Sequence, residues 1–182
     1  MLELSLHVLD IAENSTRAGA KEVLISIKED PNSDMLSLEV KDNGRGMNEE
    51  ARMKALDPFF TTKKVRRVGL GLPMLAQAAE RTGGRLILES EEGSGTRVVA
   101  EFRLGHLDRQ PLGDIASTMV ALIAGNADVD FVYRHQKGDR SFTLDTREIK
   151  EQIEDVPIGH VQVLQFIRKH IEEGLREIGA EA

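Results

Sequence analysis

The chain contains no cysteine. That excludes disulfide cross-links and thiolate metal centres, and it fits a reducing compartment. No apolar run approaches the roughly 20 residues that cross a bilayer, and the N-terminus carries no basic-then-apolar signal pattern. Positive charge is not in excess: 24 Lys and Arg stand against 31 Asp and Glu, a formal net charge of −7, which argues against nucleic acid as a partner. Internal repeats and low-complexity tracts are also missing. What is present is ordinary for a globular protein. Hydrophobic residues make up 40% and charged residues 30%, and 182 residues are enough to bury a core. The expectation is a soluble, cytoplasmic protein without a membrane partner.

The most informative stretch is residues 57 to 75, DPFFTTKKVRRVGLGLPML. Pro58, Phe59 and Phe60 are followed by Thr61 and Thr62, then by Lys63, Lys64, Arg66 and Arg67. Gly69-Leu70-Gly71-Leu72 then opens directly into an apolar-periodic segment that ends near Thr82. Glycines ahead of a helix let backbone approach an anion closely, and the free N–H groups of the first turn can bind it. Neighbouring cations are what a polyphosphate requires. A solvated loop with a glycine hinge would share the same composition.

The remaining elements follow in order. Residues 2 to 18 carry apolar groups at helical spacing, and Asp10, Asn14 and Arg17 fall on one face at i, i+4 and i+7. That column could serve a metal ion and phosphate, or be an exposed polar face. Residues 22 to 29 and 35 to 41 alternate as a hairpin across the turn residues 30 to 34. The second strand runs into Asp42-Asn43-Gly44-Arg45-Gly46-Met47. An ionised Asp is acceptor-only and can receive the hydrogen bond of an exocyclic amine, although Asn-Gly is also a common turn pair. Asn48 caps a short helix through about residue 56, with Glu49 and Glu50 in its first turn. Residues 85 to 91 and 96 to 104 are two further strands, joined by the turn 92 to 95. Four strands and three helices by residue 104 predict an α/β (α+β) two-layer sandwich, with a mostly antiparallel mixed sheet covered by helices. Beyond 105 the pattern predicts a connector, an Asp114-capped helix over 115 to 124, and a hairpin of 129 to 134 with 141 to 145. A short helix over 146 to 153 and a final amphipathic helix over about 159 to 178 complete this smaller α+β segment.

Five boxes now stand in order: Asp10-Ile-Ala-Glu-Asn14-Ser-Thr-Arg17, Asp42-Asn-Gly-Arg-Gly-Met47, Pro58-Phe-Phe-Thr-Thr-Lys63, Gly69-Leu-Gly-Leu72 and Gly93-Ser-Gly-Thr96. Together they resemble the GHKL superfamily of ATP-binding domains, which includes gyrase, heat-shock chaperones, histidine kinases and mismatch-repair ATPases. The middle boxes look most like histidine kinases. Glu13-Asn14-Ser15 with Ala18-Gly19-Ala20 looks more like mismatch-repair ATPases. The resemblance covers about residues 1 to 104, and residues 105 to 182 are expected to form a separate segment of unknown role. It implies a Bergerat-type ATP fold, with ATP and Mg²⁺ as cofactors. Asn14 matches the Mg²⁺-holding residue, and Arg17 stands where histidine kinases place a Lys toward the phosphates. Asp42 matches the adenine-binding Asp, with Thr96 beside it. Gly44, Gly46, Met47, Phe60, Thr61, Thr62, Gly69, Leu70, Gly71 and Leu72 match other nucleotide-contacting positions. Residues 61 to 68 would form a short lid, with Lys63 toward the terminal phosphate.

Three departures qualify the implied activity. Asp10 stands where gyrase-like and mismatch-repair ATPases carry a Glu general base; it is one methylene shorter, so hydrolysis is expected to be slow. The dimerisation helices that carry the phospho-accepting His of sensor kinases are expected to be absent, giving a stand-alone domain, and His7 reads as a core or surface histidine. Residues 105 to 182 match no partner domain, and their last helix reads as core. The leading expectation is a cytoplasmic regulatory protein that phosphorylates an unidentified protein target or slowly hydrolyses ATP; a homodimer is compatible with it. The alternative is an ATP-gated binding switch with little catalysis. A DNA-processing ATPase is disfavoured by the charge.

Overall fold

In the computed structural model, residues 2–57 and 71–180 are described. The first helix, α1 (Leu4–Arg17), begins two residues later than its apolar pattern predicts. The reason is tertiary. The N–H groups of Leu4 and Ser5 donate to the carbonyls of Pro111 and Leu112, at 2.9 and 2.8 Å, so the later connector satisfies the first turn. Leu4, Val8, Ile11 and Ala12 are buried, while Leu2 is left exposed.

Strands β1 (Glu22–Asp30) and β2 (Met35–Asp42) form the expected hairpin. Their alternation puts Val23, Ile25, Ile27 and Glu29 on one face with Leu36, Leu38, Val40 and Asp42. Helix α2 (Glu49–Lys54) is capped by Asn48, whose side chain accepts from the Ala51 N–H. Helix α3 (Gly71–Glu80) buries Leu75, Ala78 and Ala79. Strands β3 (Arg85–Glu91) and β4 (Gly95–Arg103) form a second hairpin, and β4 pairs antiparallel with β2.

Helix α4 (Ile115–Gly125) is capped by Asp114 through the Ser117 N–H, as its sequence implies. Strand β5 (Asp130–Lys137) departs from expectation. The pattern ends that strand at residue 134, yet 135 to 137 continue it, because β5 runs parallel to β1 in an unbroken register from Glu22↔Asp130 to Glu29↔Lys137. Only Gly138 and Asp139 are left to turn into β6 (Arg140–Asp145). Helix α5 (Thr146–Ile153) follows, capped by Asp145. Helix α6 (Val161–Ile178) starts at Val161 because the His160 side chain accepts from the Gln162 N–H.

The sheet order is β3-β4-β2-β1-β5-β6, mixed but antiparallel except at β1/β5. One cluster of buried apolar residues joins α1, α3, α4 and α6 to the sheet. His7 is buried in α1, and the final helix buries Ile167, Ile171, Leu175 and Ile178, so both take core positions. Among the described residues, no helix is long and apolar enough to cross a membrane.

Candidate functional site

The end of β2, the outer face of α1, helix α2 and the start of α3 enclose a cavity of about 710 Å³, within the range of small-molecule sites. Asp10, Asn14, Arg17, Asp42, Gly46, Met47, Gly71, Leu72 and Thr96 line it, so nine residues picked from sequence converge on one space. Gly44 stands behind the wall and donates its N–H to Asp42 Oδ1 at 2.8 Å. Phe60, Thr61, Thr62, Lys63, Gly69 and Leu70, and with them the expected lid, lie outside the described residues.

Asp42 closes the buried row of β2 and is only 8% exposed. A charge there requires partners. Ser15 Oγ donates to Oδ2 at 2.5 Å, and Oδ1 accepts from the N–H groups of Gly44 and Thr96, at 2.8 and 3.3 Å. A carboxylate offers about four acceptor positions. Three are filled by these donors, and the group still borders the cavity, poised for one more.

The loop after β2 is stitched at both sides. Asn43 Oδ1 accepts from the Lys21 and Glu22 N–H groups, at 2.8 and 2.9 Å. The Arg45 N–H reaches the Ala18 carbonyl at the end of α1, and the Arg45 carbonyl receives the Gly93 N–H of the β3–β4 turn. Gly46 adopts φ +66°, and a Cβ there would stand 1.9 Å from the Glu91 carbonyl oxygen, so only glycine passes. Ser90 completes the frame. Its hydroxyl accepts from the Met47 N–H at 2.8 Å, donates to the Gly95 carbonyl at 3.0 Å and meets Thr96 Oγ1 at 2.9 Å.

At the other end of the cavity Asp10 lies over the N-terminus of α3. A Cβ on Gly71 would stand 1.7 Å from Asp10 Oδ2, so a side chain at 71 would displace the carboxylate. One turn further along α1, Arg17 Nη2 donates to Asn14 Oδ1, and Arg17 Nη1 stands 4.0 Å from Glu13 Oε2. The Asn14 oxygen thus borders the cavity with the Arg17 guanidinium against it. Among the described residues no cluster of three or more His, Asp or Glu could hold a metal alone. Asn14 Oδ1 is a single side-chain oxygen at the cavity wall, the kind of lone protein ligand that a Mg²⁺ ion carried by phosphate oxygens would accept.

Ser15 and Ser90 had no assigned role in the sequence reading. Ser15 carried a usable signal: it prolongs the buried stripe Val8, Ile11, Ala12 of α1, and a polar group on a buried face must find a partner. Ser90 carried none, because it links Gly95 and Thr96 of its own hairpin to Met47, 43 residues away in the chain.

A family model described as histidine kinase-, DNA gyrase B-, and HSP90-like ATPase matches residues 2–106. A sensor kinase CckA of Brucella abortus is 42% identical over 67 residues, 36% of this chain and 7% of the relative. A probable C4-dicarboxylate sensor kinase of Halalkalibacterium halodurans is 38% identical over 85 residues, 47% of this chain and 16% of the relative. The chain therefore spans less than a fifth of these relatives. Among solved structures, the Aquifex aeolicus MutL ATPase domain complexed with ADP superposes with a TM-score of 0.54 at 19% identity, over 85% of this chain and 68% of that one. The N-terminal domain of a DNA repair protein gives 0.57 at 16% identity, over 80% and 53%. These two share the fold, and the likeness runs past the region the family model matches.

Proposed function

This chain belongs to the histidine kinase-, DNA gyrase B-, and HSP90-like ATPase family, and from that premise we propose that it is an ATP- and Mg²⁺-dependent regulatory protein that transfers phosphate to a partner protein or slowly hydrolyses ATP. The observation that carries the reading is Asp42. It is a buried carboxylate with three donors fixed on it and an open side toward the cavity. That arrangement suits the exocyclic amine of adenine. Val40 and Val98 give the same end of the cavity an apolar wall for the base. Asn14 would hold Mg²⁺, whose contribution when bound is to neutralise phosphate charge. Arg17 and the start of α3 provide positive potential for the phosphates. Phosphoryl transfer needs mainly positioning and charge neutralisation, and these residues are suited to supply both.

Asp10 favours a second reading, an ATP-gated switch with little turnover. Its short side chain is laid against Gly71, and it lacks the methylene that would carry a base further into the cavity. Equilibrium titration with ADP and ATP tests the shared premise. Asp42→Asn removes the ionised acceptor and should weaken both nucleotides about a hundredfold; equal affinities would sink the assignment. Turnover then separates the readings. Measurable ATP consumption lost in Asp10→Asn supports an enzyme with Asp10 as base, whereas no turnover in the wild type supports the switch.

A further inference from the structure

The contact between Arg17 and Asn14 has a consequence for the metal. Both side chains line the cavity, and both project from the same face of α1. The guanidinium donates to Asn14 Oδ1, the one oxygen that the donor set offers to Mg²⁺, and it leans toward the Glu13 carboxylate. A guanidinium and a divalent cation compete for that oxygen: Mg²⁺ demands near-ideal octahedral geometry at close range, and two cations a few ångströms apart repel.

We propose that Arg17 is a built-in competitor of the metal. It occupies the Asn14 oxygen when Mg²⁺ is absent, and it must release that oxygen before Mg²⁺ can take it. Arg17 is about half exposed and has a long side chain, so it has solvent space into which to swing. In the position seen, the guanidinium borders the cavity. A nucleotide bound without metal keeps a cation beside its phosphates, through the planar donors of Arg17. Mg²⁺ then binds against this occupant, so the protein takes nucleotide with a shallow dependence on Mg²⁺ and needs a higher Mg²⁺ concentration to load the metal. The inference rests on the nucleotide reading of the site and deepens it.

The test is calorimetric and needs no turnover. ADP is titrated into wild type, Arg17→Ala, Arg17→Lys and Asp42→Asn, first in EDTA and then in Mg²⁺. Mg²⁺ is also titrated into each ADP-saturated protein. Arg17→Ala should lose about tenfold in metal-free ADP affinity, the loss of a charge-assisted contact. Its ADP complex should load Mg²⁺ at a concentration at least about fivefold lower, the lower end of measured coupling between two ligands. Arg17→Lys should recover part of the metal-free affinity. If Arg17→Ala binds metal-free ADP and loads Mg²⁺ as the wild type does, the inference fails while the nucleotide reading stands. If wild type binds no ADP under either condition, both fail. If Asp42→Asn loses ADP while Arg17→Ala shows the two opposed shifts, both stand.

Discussion

Strands β1 and β2 lie side by side, and each finishes its helix-facing row on a carboxylate, Glu29 at one end of the sheet and Asp42 at the other. Both are buried, at 2% and 8% exposure. Their partners differ in kind. Glu29 faces ionisable groups: His135 Nε2 at 2.7 Å and Lys137 Nζ at 3.4 Å. His135 in turn meets the Tyr133 hydroxyl at 2.6 Å. This chain of groups sits beneath α6, and neither His135 nor Tyr133 has any exposed surface. Burial, and then the Glu29 charge, push the Tyr133 hydroxyl far above its ordinary value, so it stays a neutral hydrogen-bonding group. Asp42, in contrast, is held by a hydroxyl and two backbone N–H groups, and it borders a cavity. A carboxylate closed in on ionisable partners fastens elements together. One held by neutral donors beside an open space is free to recognise a ligand.

The comparison can be broken most forcefully at Glu29. Removing one member of a buried pair strands the other, at a cost of about 3–5 kcal/mol. Glu29→Ala should therefore lower the urea-unfolding free energy by that amount and the melting temperature by roughly 10 °C. ADP affinity of the protein that remains folded should be unchanged; a matching loss of nucleotide binding would show that the two ends of the sheet are coupled. Asp42→Asn should show the reverse pattern, with a melting temperature near wild type and the large binding defect already described. Ser15→Ala is the milder version. It removes one donor from Asp42 and should weaken ADP about tenfold, the value of a hydrogen bond to a charged group, with the fold intact.

The smallest effect concerns His7, a third buried titratable group. Its Nε2 meets Gln110 Oε1 at 3.1 Å, and its buried Nδ1 has no hydrogen-bond partner among the described residues. Burial, the largest cause, holds the imidazole pKa below the ordinary 6.5. Below pH 6.5 the unfolded chain binds a proton that folded His7 refuses. Stability from this group is therefore present above pH 6.5, declines as pH falls toward the folded pKa, and levels off below it. His7→Leu should flatten the slope of unfolding free energy between pH 7 and 5; an unaltered slope would mean that other groups produce it.

How much could be read in advance differs between the two halves. In the described part of residues 2–106 the strand alternation and the Asn48 cap are local patterns, and the structure reproduces them. In the later half, the Asp114 cap and helix α5 were equally plain. The fate of residues 135 to 137 was not. His-Gln-Lys ahead of Gly-Asp reads as a turn, and it became strand because β1 offered eight consecutive partners and Glu29 offered the histidine a buried one. The start of α1 failed in the same way, since its first N–H groups are claimed by residues 111 and 112.

By itself, then, the sequence determined the secondary structure of most described segments and pointed to nine of the described residues that line one cavity. Periodicity, caps and glycine spacing act within a few residues of chain, so they are written locally. Tertiary structure decided who satisfies whom: Ser15 on Asp42 across 27 residues, and His135 on Glu29 across 106. Burial forces each polar group to be paired without naming the partner, and the partner is whichever group the packed sheet and helices bring within hydrogen-bond reach.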